Sequence, residues 1–332
     1  MTQLELSAVI CTYTDNRWED LAAAVESLRQ QEPPPKEIII VVDHNPALQQ
    51  QADAYFEDAL VIPNREPRGL SGARNSGVAA AQGTLIAFLD DDATAAPGWL
   101  ARLSHWCEHP QVLGAVGAIE PVWLSGRPAW FPQEFLWVVG CTYRGLPKTV
   151  ATVRNLLGGG MCIKREVFQA VGGFRTEMGR VGTIPLGCEE TELCIRARQV
   201  RPDGAFVYDP QALILHRVPA WRARWRYYFS RCYAEGLSKA TLSQLVGFRD
   251  GLSSERDYVM RTLPRGILEG VQVALRGDRT GLARASAIVT GLILTGAGYL
   301  TGRMRRGGSL PAMVLPRTGQ VETPARFHPR DF

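Results

Sequence analysis

The sequence predicts an α/β domain with a mainly parallel sheet flanked by helices, followed by a basic helical extension. Three observations carry this. Short β-branched runs alternate with amphipathic helical stretches through residues 1–120, the spacing of βαβ units. The alternation then fails, and an aromatic-rich segment takes over. Charge also divides along the chain: residues 217–332 hold 19 Lys and Arg against 8 Asp and Glu, leaving 18 against 25 in residues 1–216. The net charge of +4 therefore joins an acidic part to a basic one.

The elements follow in order. "LELSAVICTYT" opens as a buried strand, and Trp18, Leu21, Ala22, Val25 and Leu28 then share one helical face. Prolines end that helix before a second strand, Glu37 to Val42. A helix from about Ala47, a short strand at "ALVIP", a helix in "SGARNSGVAAAQ" and the strand "TLIAFL" come next. Ligands on such sheets bind beyond the carboxyl ends of the strands, which puts "CTYTDN", "DHN" and "DDD" on one rim. The segments "VWLSGRPAWFPQEFLWVVGCTYRG" and "NLLGGGMCIKREVFQAVGGF" read as a second half of the same domain, carrying the other substrate. "EETELCIRARQ" has helix-forming composition, and "ALILH" reads as a strand.

The expected units are a domain at 1–216, with halves 1–120 and 121–216, a basic helical extension at 217–306, and a Gly- and Pro-rich tail at 307–332 expected to be disordered. Helix-like stretches in the extension run from about Glu255 to Arg276 and from Thr280 to Gly302. Residues 285–302 carry no charge and precede Arg303, Arg305 and Arg306. Eighteen residues is the short limit for crossing a bilayer, and four glycines dilute the hydrophobicity. An interfacial or protein-packed helix is favoured over a span. Seven scattered cysteines without a C-x-x-C argue against a disulfide framework or structural zinc, and with the polar start "MTQLELS" they point to a reduced cytosolic setting.

Asp90, Asp91 and Asp92 stand side by side at the end of a strand, where their mutual repulsion calls for a cation or a cap. One of them can cap a helix starting at Thr94 or Ala95; all three together fit a divalent metal held through Asp90 or Asp92, hard oxygen ligands suited to Mg²⁺ or Mn²⁺. Gly69, Gly72 and Gly77 beside Arg68, Arg74 and Asn75 suit either an anion at a helix start or a close helix–sheet contact. No G-x-G-x-x-G follows the first strand, so a nicotinamide site is a poor fit. Glu189, Glu190 and Glu192 are either a solvated helix start or a hydroxyl-activating base, and His216 is either a core histidine or a late metal or phosphate contact.

Taken in order, "SAVICTYTDNRWEDLAAAVESL", "EIIIVVDHN", "GLSGARNSGVAAAQGTLIAFLDDDA", "GGGMCIKREVFQAVGGF", "EETEL" and His216 resemble family 2 glycosyltransferases with a GT-A fold. The resemblance implies that Thr12, Tyr13 and Asp43 hold the nucleotide, that Arg74 and Asp91 lie near the donor, and that Gly159 and Gly160 put backbone against a sugar. It implies Mg²⁺ or Mn²⁺ on Asp90 and Asp92, with His216 as a further ligand. Glu190 matches the second position of the family's "ED", where most members have Asp; the base is therefore Glu189 or Glu190, with Glu190 favoured. The implied reaction is inverting transfer from a nucleotide sugar, a UDP-sugar such as UDP-glucuronate, to a hydroxyl of a lipid-linked or polysaccharide acceptor at the cytoplasmic membrane face. "VVDHN", "EPVWLSGRPAWFPQEFLWVVGCTYRG" and "RCYAEGLSKA" are similar to archaeal glucosyl-dolichyl-phosphate glucuronosyltransferases, and a uronate donor would need an arginine such as Arg144, Arg154 or Arg180. Two other readings stand beside this: a nucleotide-sugar-binding protein without turnover, and a nucleic-acid-binding protein using the basic part, which leaves the acidic rim unexplained. The favoured partners are a sugar donor, its acceptor and a membrane surface, with no nucleic acid.

Overall fold

The β-branched runs form strands where they were expected, and their pairing decides where the rim lies. A computed structural model describes residues 5–182, 184–247 and 255–304; the tail expected at 307–332 lies outside them. Strands β1 (Leu6–Thr12), β2 (Glu37–Val42), β3 (Leu60–Pro63) and β4 (Leu85–Asp90) are parallel, with β1 between β2 and β4. Helices α1 (Trp18–Arg29), α2 (Pro46–Tyr55) and α3 (Leu70–Ala80) connect them. Asn45 begins α2 by accepting from the Leu48 amide at 3.2 Å, with Pro46 at the first turn. The chain leaves β1 in one direction and returns to β4 on its other side, so a crevice opens at the ends of these strands.

Beyond β4 the sheet becomes mixed. Its order is β3-β2-β1-β4-β8-β6-β9-β5, with β5 (Ala93–Ala95), β6 (Val112–Trp123), β8 (Gly160–Lys164) and β9 (Ala205–Val218), while β7 (Ala151–Val153) also pairs with β9. Strand β8 is antiparallel to both β4 and β6, whereas β6 and β9 run parallel. The expected parallel sheet is thus realised in the first half. The helix expected at Thr94 or Ala95 starts later: Ala93–Ala95 pairs with β9, and α4 (Trp99–Cys107) begins after Gly98, so the aspartates are not its caps.

Apolar side chains cover both faces of the sheet. Ile10, Ile40, Leu89, Trp99 and Ile214 pack on one side, and Val9, Ile39, Phe88, Met161 and Phe206 on the other. Alternation along each strand divides them. Helices α5 (Arg165–Val171) and α6 (Glu189–Val200) flank the second half. The extension forms α7 (Trp225–Val246), a short helical turn at Glu255–Asp257 continuing through a π turn at Tyr258–Thr262, then α8 (Leu263–Leu275) and α9 (Thr280–Met304). Helix α9 is long and apolar enough to cross a membrane by length and composition. It packs along α7, where Gly236 and Gly298 let the two backbones meet.

Candidate active site

The ends of β1, β2 and β4 bring Thr12, Asp43 and Asp90 to one rim, and the turn before β8 closes it, with the Asp90 amide donating to the Gly159 carbonyl at 3.1 Å. A cavity of about 350 Å³ opens there. Thr12, Tyr13, Asp43, Arg74, Asp90, Asp91, Asp92, Gly159, Glu189, Glu190 and His216 all line it. Gly160 does not; it is the first residue of β8, where a Cβ would stand 2.5 Å from Cδ1 of Ile214, so packing on β9 accounts for its lack of a side chain.

At the end of the cavity lined by Thr12 and Tyr13, Asp43 is oriented from two sides. Its Oδ1 accepts from Asn64 Nδ2 at 2.7 Å, and its Oδ2 accepts from the Gly69 amide at 3.0 Å. Gly69 has φ +131°, a conformation that suits glycine, and this turn starts α3. The helix carries Arg74, whose guanidinium carbon lies 5.8 Å from the Phe88 ring and 5.6 Å from the Phe174 ring, two rings that pack edge to face on each other. Its guanidinium donates to Glu189 Oε1 at 2.9 Å and to the Gly158 carbonyl at 2.7 Å, and lies 3.5 Å from Asp90 Oδ1. Glu189 and Asp90 outweigh burial and keep this arginine charged.

The three aspartates diverge. Asp91 turns back onto Thr12 Oγ1 at 2.8 Å and Arg17 at 2.6 Å. Burial pushes its carboxyl up to about 6, although Arg17 opposes the shift. Asp92 faces His216 Nε2 at 3.1 Å, Arg17 at 3.2 Å and Arg222 at 3.3 Å. Burial disfavours its charge, yet His216 and Arg222 hold it well below the usual carboxylate range. For His216 burial likewise opposes the charge, and Asp92 outweighs it, raising the imidazole to about 10. Ligand atoms of Asp90, Asp92 and His216 all lie within 4.8 Å of one another. Two carboxylates and an imidazole are a donor set that fits Mn²⁺ or Mg²⁺, so the site's chemistry agrees with the metal expected there.

Glu189 and Glu190 part company at the start of α6. Glu189 is buried against Arg74, and its second oxygen has no hydrogen-bond partner among the described residues. Glu190 faces the cavity, where Thr191 Oγ1 lies 3.5 Å away. Burial and the adjacent Glu189 push its carboxyl up to about 8, the Arg74 charge acting against them. Arg154 and Arg180 line the cavity, whereas Arg144 is held elsewhere by Glu134 and Glu269.

Arg17 and Arg222 were not singled out by sequence. The signal for Arg17 was present: it is the first basic residue on an otherwise acidic rim, just before α1. Arg222 depends on a short 3-10 turn, Ala220–Ala223, that folds the chain back after β9.

Comparison with known proteins agrees with this geometry. The chain is 34% identical over 246 residues to a glucosyl-dolichyl phosphate glucuronosyltransferase of Haloferax volcanii, covering 73% of this chain and 78% of the relative. It is 27% identical over 196 residues to a pre-mycofactocin glycosyltransferase of Mycobacterium tuberculosis, covering 56% of this chain and 40% of that protein. Among solved structures, a mannosyltransferase of Pyrobaculum calidifontis in complex with GDP-mannose and Mn²⁺ superimposes with a TM-score of 0.60 at 17% identity, covering 90% of this chain and 88% of the other. The structure of GalNAc-T7 with UDP, GalNAc and Mn²⁺ gives 0.52 at 18% identity, over 78% and 56%. These two likenesses establish the GT-A-type fold. Residues 7–172, which supply the rim from β1 through the glycine turn to β8, match the model for glycosyl transferase family 2, and the chain belongs to that family.

Proposed function

We propose that the protein transfers a sugar, with inversion, from a UDP-sugar to a hydroxyl of a lipid-linked acceptor. One observation carries this reading: the Asp90, Asp92 and His216 donors share a cavity with Glu190, a carboxylate held near the working pH and facing open space. Asp43 and Tyr13 sit where the nucleotide base and ribose would lie, on the rim at the switch point of the sheet. Asp90, Asp92 and His216 would hold Mg²⁺ or Mn²⁺, which when bound offsets the charge growing on the departing diphosphate. The acceptor oxygen attacks the anomeric carbon as the bond from that carbon to the diphosphate oxygen breaks, and Glu190 takes the hydroxyl proton. Glu189 also lines the cavity, but its hydrogen bond from Arg74 at 2.9 Å favours Glu190 as the base.

A uronate donor is supported by the Haloferax relative's name and by Arg180 and Arg154 in the cavity wall. Attachment to the cytoplasmic membrane face is supported by α8 and α9, whose exposed Leu268, Leu275, Ile293 and Leu300 alternate with arginines such as Arg265, Arg276 and Arg284. The test is UDP release from UDP-glucuronate and UDP-glucose, with Mn²⁺ or Mg²⁺, on anionic vesicles carrying polyprenyl phosphoglucose. Metal-dependent release that is lost in Asp92→Asn and lowered about 10²–10⁴-fold in Glu190→Gln is expected. UDP binding without release from either sugar would overturn the transferase reading, and failure to sediment with the vesicles would overturn the membrane one.

A further inference from the structure

Helix α6 starts in an unusual way. The residue before its first turn is Cys188, with φ +71° and ψ 12°, and its side chain caps no amide. A helix start ordinarily uses an extended Ser, Thr, Asp or Asn whose oxygen accepts a first-turn amide, so neither the residue type nor the backbone here is the usual one. A left-handed backbone crowds the Cβ of any residue but glycine and costs free energy. Among the described residues the other non-glycine position with positive φ is His44, next to Asp43 on the cavity rim. Strain of this kind persists where the surroundings over-determine it. Here it stands one residue before Glu189 and two before Glu190.

The groups that hold this turn come from α7. The Gly187 amide donates to Ser238 Oγ at 3.1 Å, and that hydroxyl donates to the Ala234 carbonyl at 3.0 Å. The Cys188 thiol donates to Glu235 Oε1 at 3.6 Å, and Glu235 is itself held by Arg231 at 2.8 Å and Lys239 at 3.3 Å. Cys188 is buried in a small cluster with Met178, Ile195 and Leu242. A Cβ on Gly187 would stand 3.3 Å from Arg231 Nη2, so the backbone lies close against the same helix. Glu235 and Ser238 are three residues apart and share one face of α7. The Cys188 carbonyl then accepts from the Glu192 amide at 2.9 Å, and α6 is under way. Successive helical residues are turned by about 100°, so the direction in which α6 leaves this turn decides which carboxylate meets Arg74 and which faces the cavity.

We infer that Ser238 and Glu235 of α7 are positioning residues for the base: they hold the Gly187–Cys188 turn in its left-handed form, and through it the rotation of α6 that sets Glu189 on Arg74 and Glu190 in the cavity. The inference deepens the transferase reading and rests on it, with Glu190 as the base. Neither residue needs to touch substrate to act in this way. An extended residue at position 188 would redirect the chain at the head of α6 and swing both carboxylates about the helix axis. The extension therefore completes the site built by the first domain, by aiming its base.

Two measurements on the full-length protein test this: maleimide labelling of the Cys188 thiol, located by peptide mass mapping, and steady-state release of UDP from the donor sugar. Ser238→Ala removes the acceptor of the Gly187 amide. Labelling of Cys188 should rise by about tenfold or more and kcat should fall by about tenfold or more, with KM for the donor and UDP affinity within about twofold of wild type. Ser238→Thr keeps the hydroxyl and should recover most of both. Cys188→Gly accepts the left-handed turn without strain but lacks the thiol that ties it to Glu235, and it serves where Ser238→Ala fails to fold. Amide exchange over residues 189–192 should then rise and kcat should fall by about threefold or more, with UDP binding retained. Unchanged labelling and kcat in Ser238→Ala, or kcat and UDP affinity lost together in both variants, would overturn the positioning role. Absence of UDP release from wild type, with Cys188 shielded there and labelled in Ser238→Ala, would instead overturn the transferase reading and leave the hold of α7 on the turn standing.

Discussion

As the proposed base, Glu190 combines two demands that pull against each other. A base must be deprotonated to accept the hydroxyl proton, while burial and Glu189 raise its pKa to about 8 from an ordinary value of 4.5. kcat/KM should therefore climb as pH rises towards about 8 and level off above it, a profile that Glu190→Gln would lack. Stability runs the other way. A carboxyl that binds its proton more tightly when folded contributes stability present below the unfolded pKa and lost as pH rises through the folded one. The melting temperature of Glu190→Gln should rise relative to wild type as pH goes from about 5 to about 9; parallel curves would show that the group is not strained in its charged form. Arg74 answers to a different balance. Arg74→Met strands Glu189 as a buried lone charge and should cost about 3–5 kcal/mol in chemical denaturation, part of which Glu189→Gln restores in the double variant. The pairing of Arg74 with Glu189 was not legible in the sequence, since residues 115 apart meet only through the sheet; Glu190 was favoured over Glu189 only through its match to the family's "ED" motif.

Among the elements, β1 to β4 were legible because each strand is a short β-branched run bounded by prolines, glycines or polar turns. The mixed half was less so. Strand β8 carries "GMCIK", too short to distinguish from a helix start by periodicity, and its antiparallel fit between β4 and β6 is a tertiary outcome. Strand β5 is three residues long and forms because β9 offers it an edge, overriding the capping chemistry of the aspartates. The extension shows how small residues position long helices. A Cβ on Gly236 would stand 2.1 Å from the Thr295 carbonyl oxygen, so Gly236→Leu should push α9 off α7, destabilising by about 1–3 kcal/mol and raising amide exchange along α9. Gly296 on the same helix has nothing within 4 Å of its Cβ position; Gly296→Ala should be neutral or stabilising by up to about 1 kcal/mol.

At the scale of the molecule, the acidic and basic halves seen in the charge distribution meet at one place. Arg222, together with Arg231, Glu235 and Lys239 of α7, reaches from the extension into the cavity whose rim the first half builds. Charge composition alone left nucleic acid open as a partner; among the described residues Arg222 faces Asp92, Arg231 and Lys239 face Glu235, and Lys239 also meets Glu255. Arg17 carries one more consequence. By bridging Asp91 and Asp92 it acts as a resident counter-ion, so the acidic loop has a partner of its own whether or not a divalent ion is present. Prolonged chelation should silence transfer and still leave a single cooperative melt, and activity should return at once on adding Mn²⁺, whereas Arg17→Met should melt early once stripped. The enzyme would then survive scarcity of its metal as a folded reserve, ready without resynthesis.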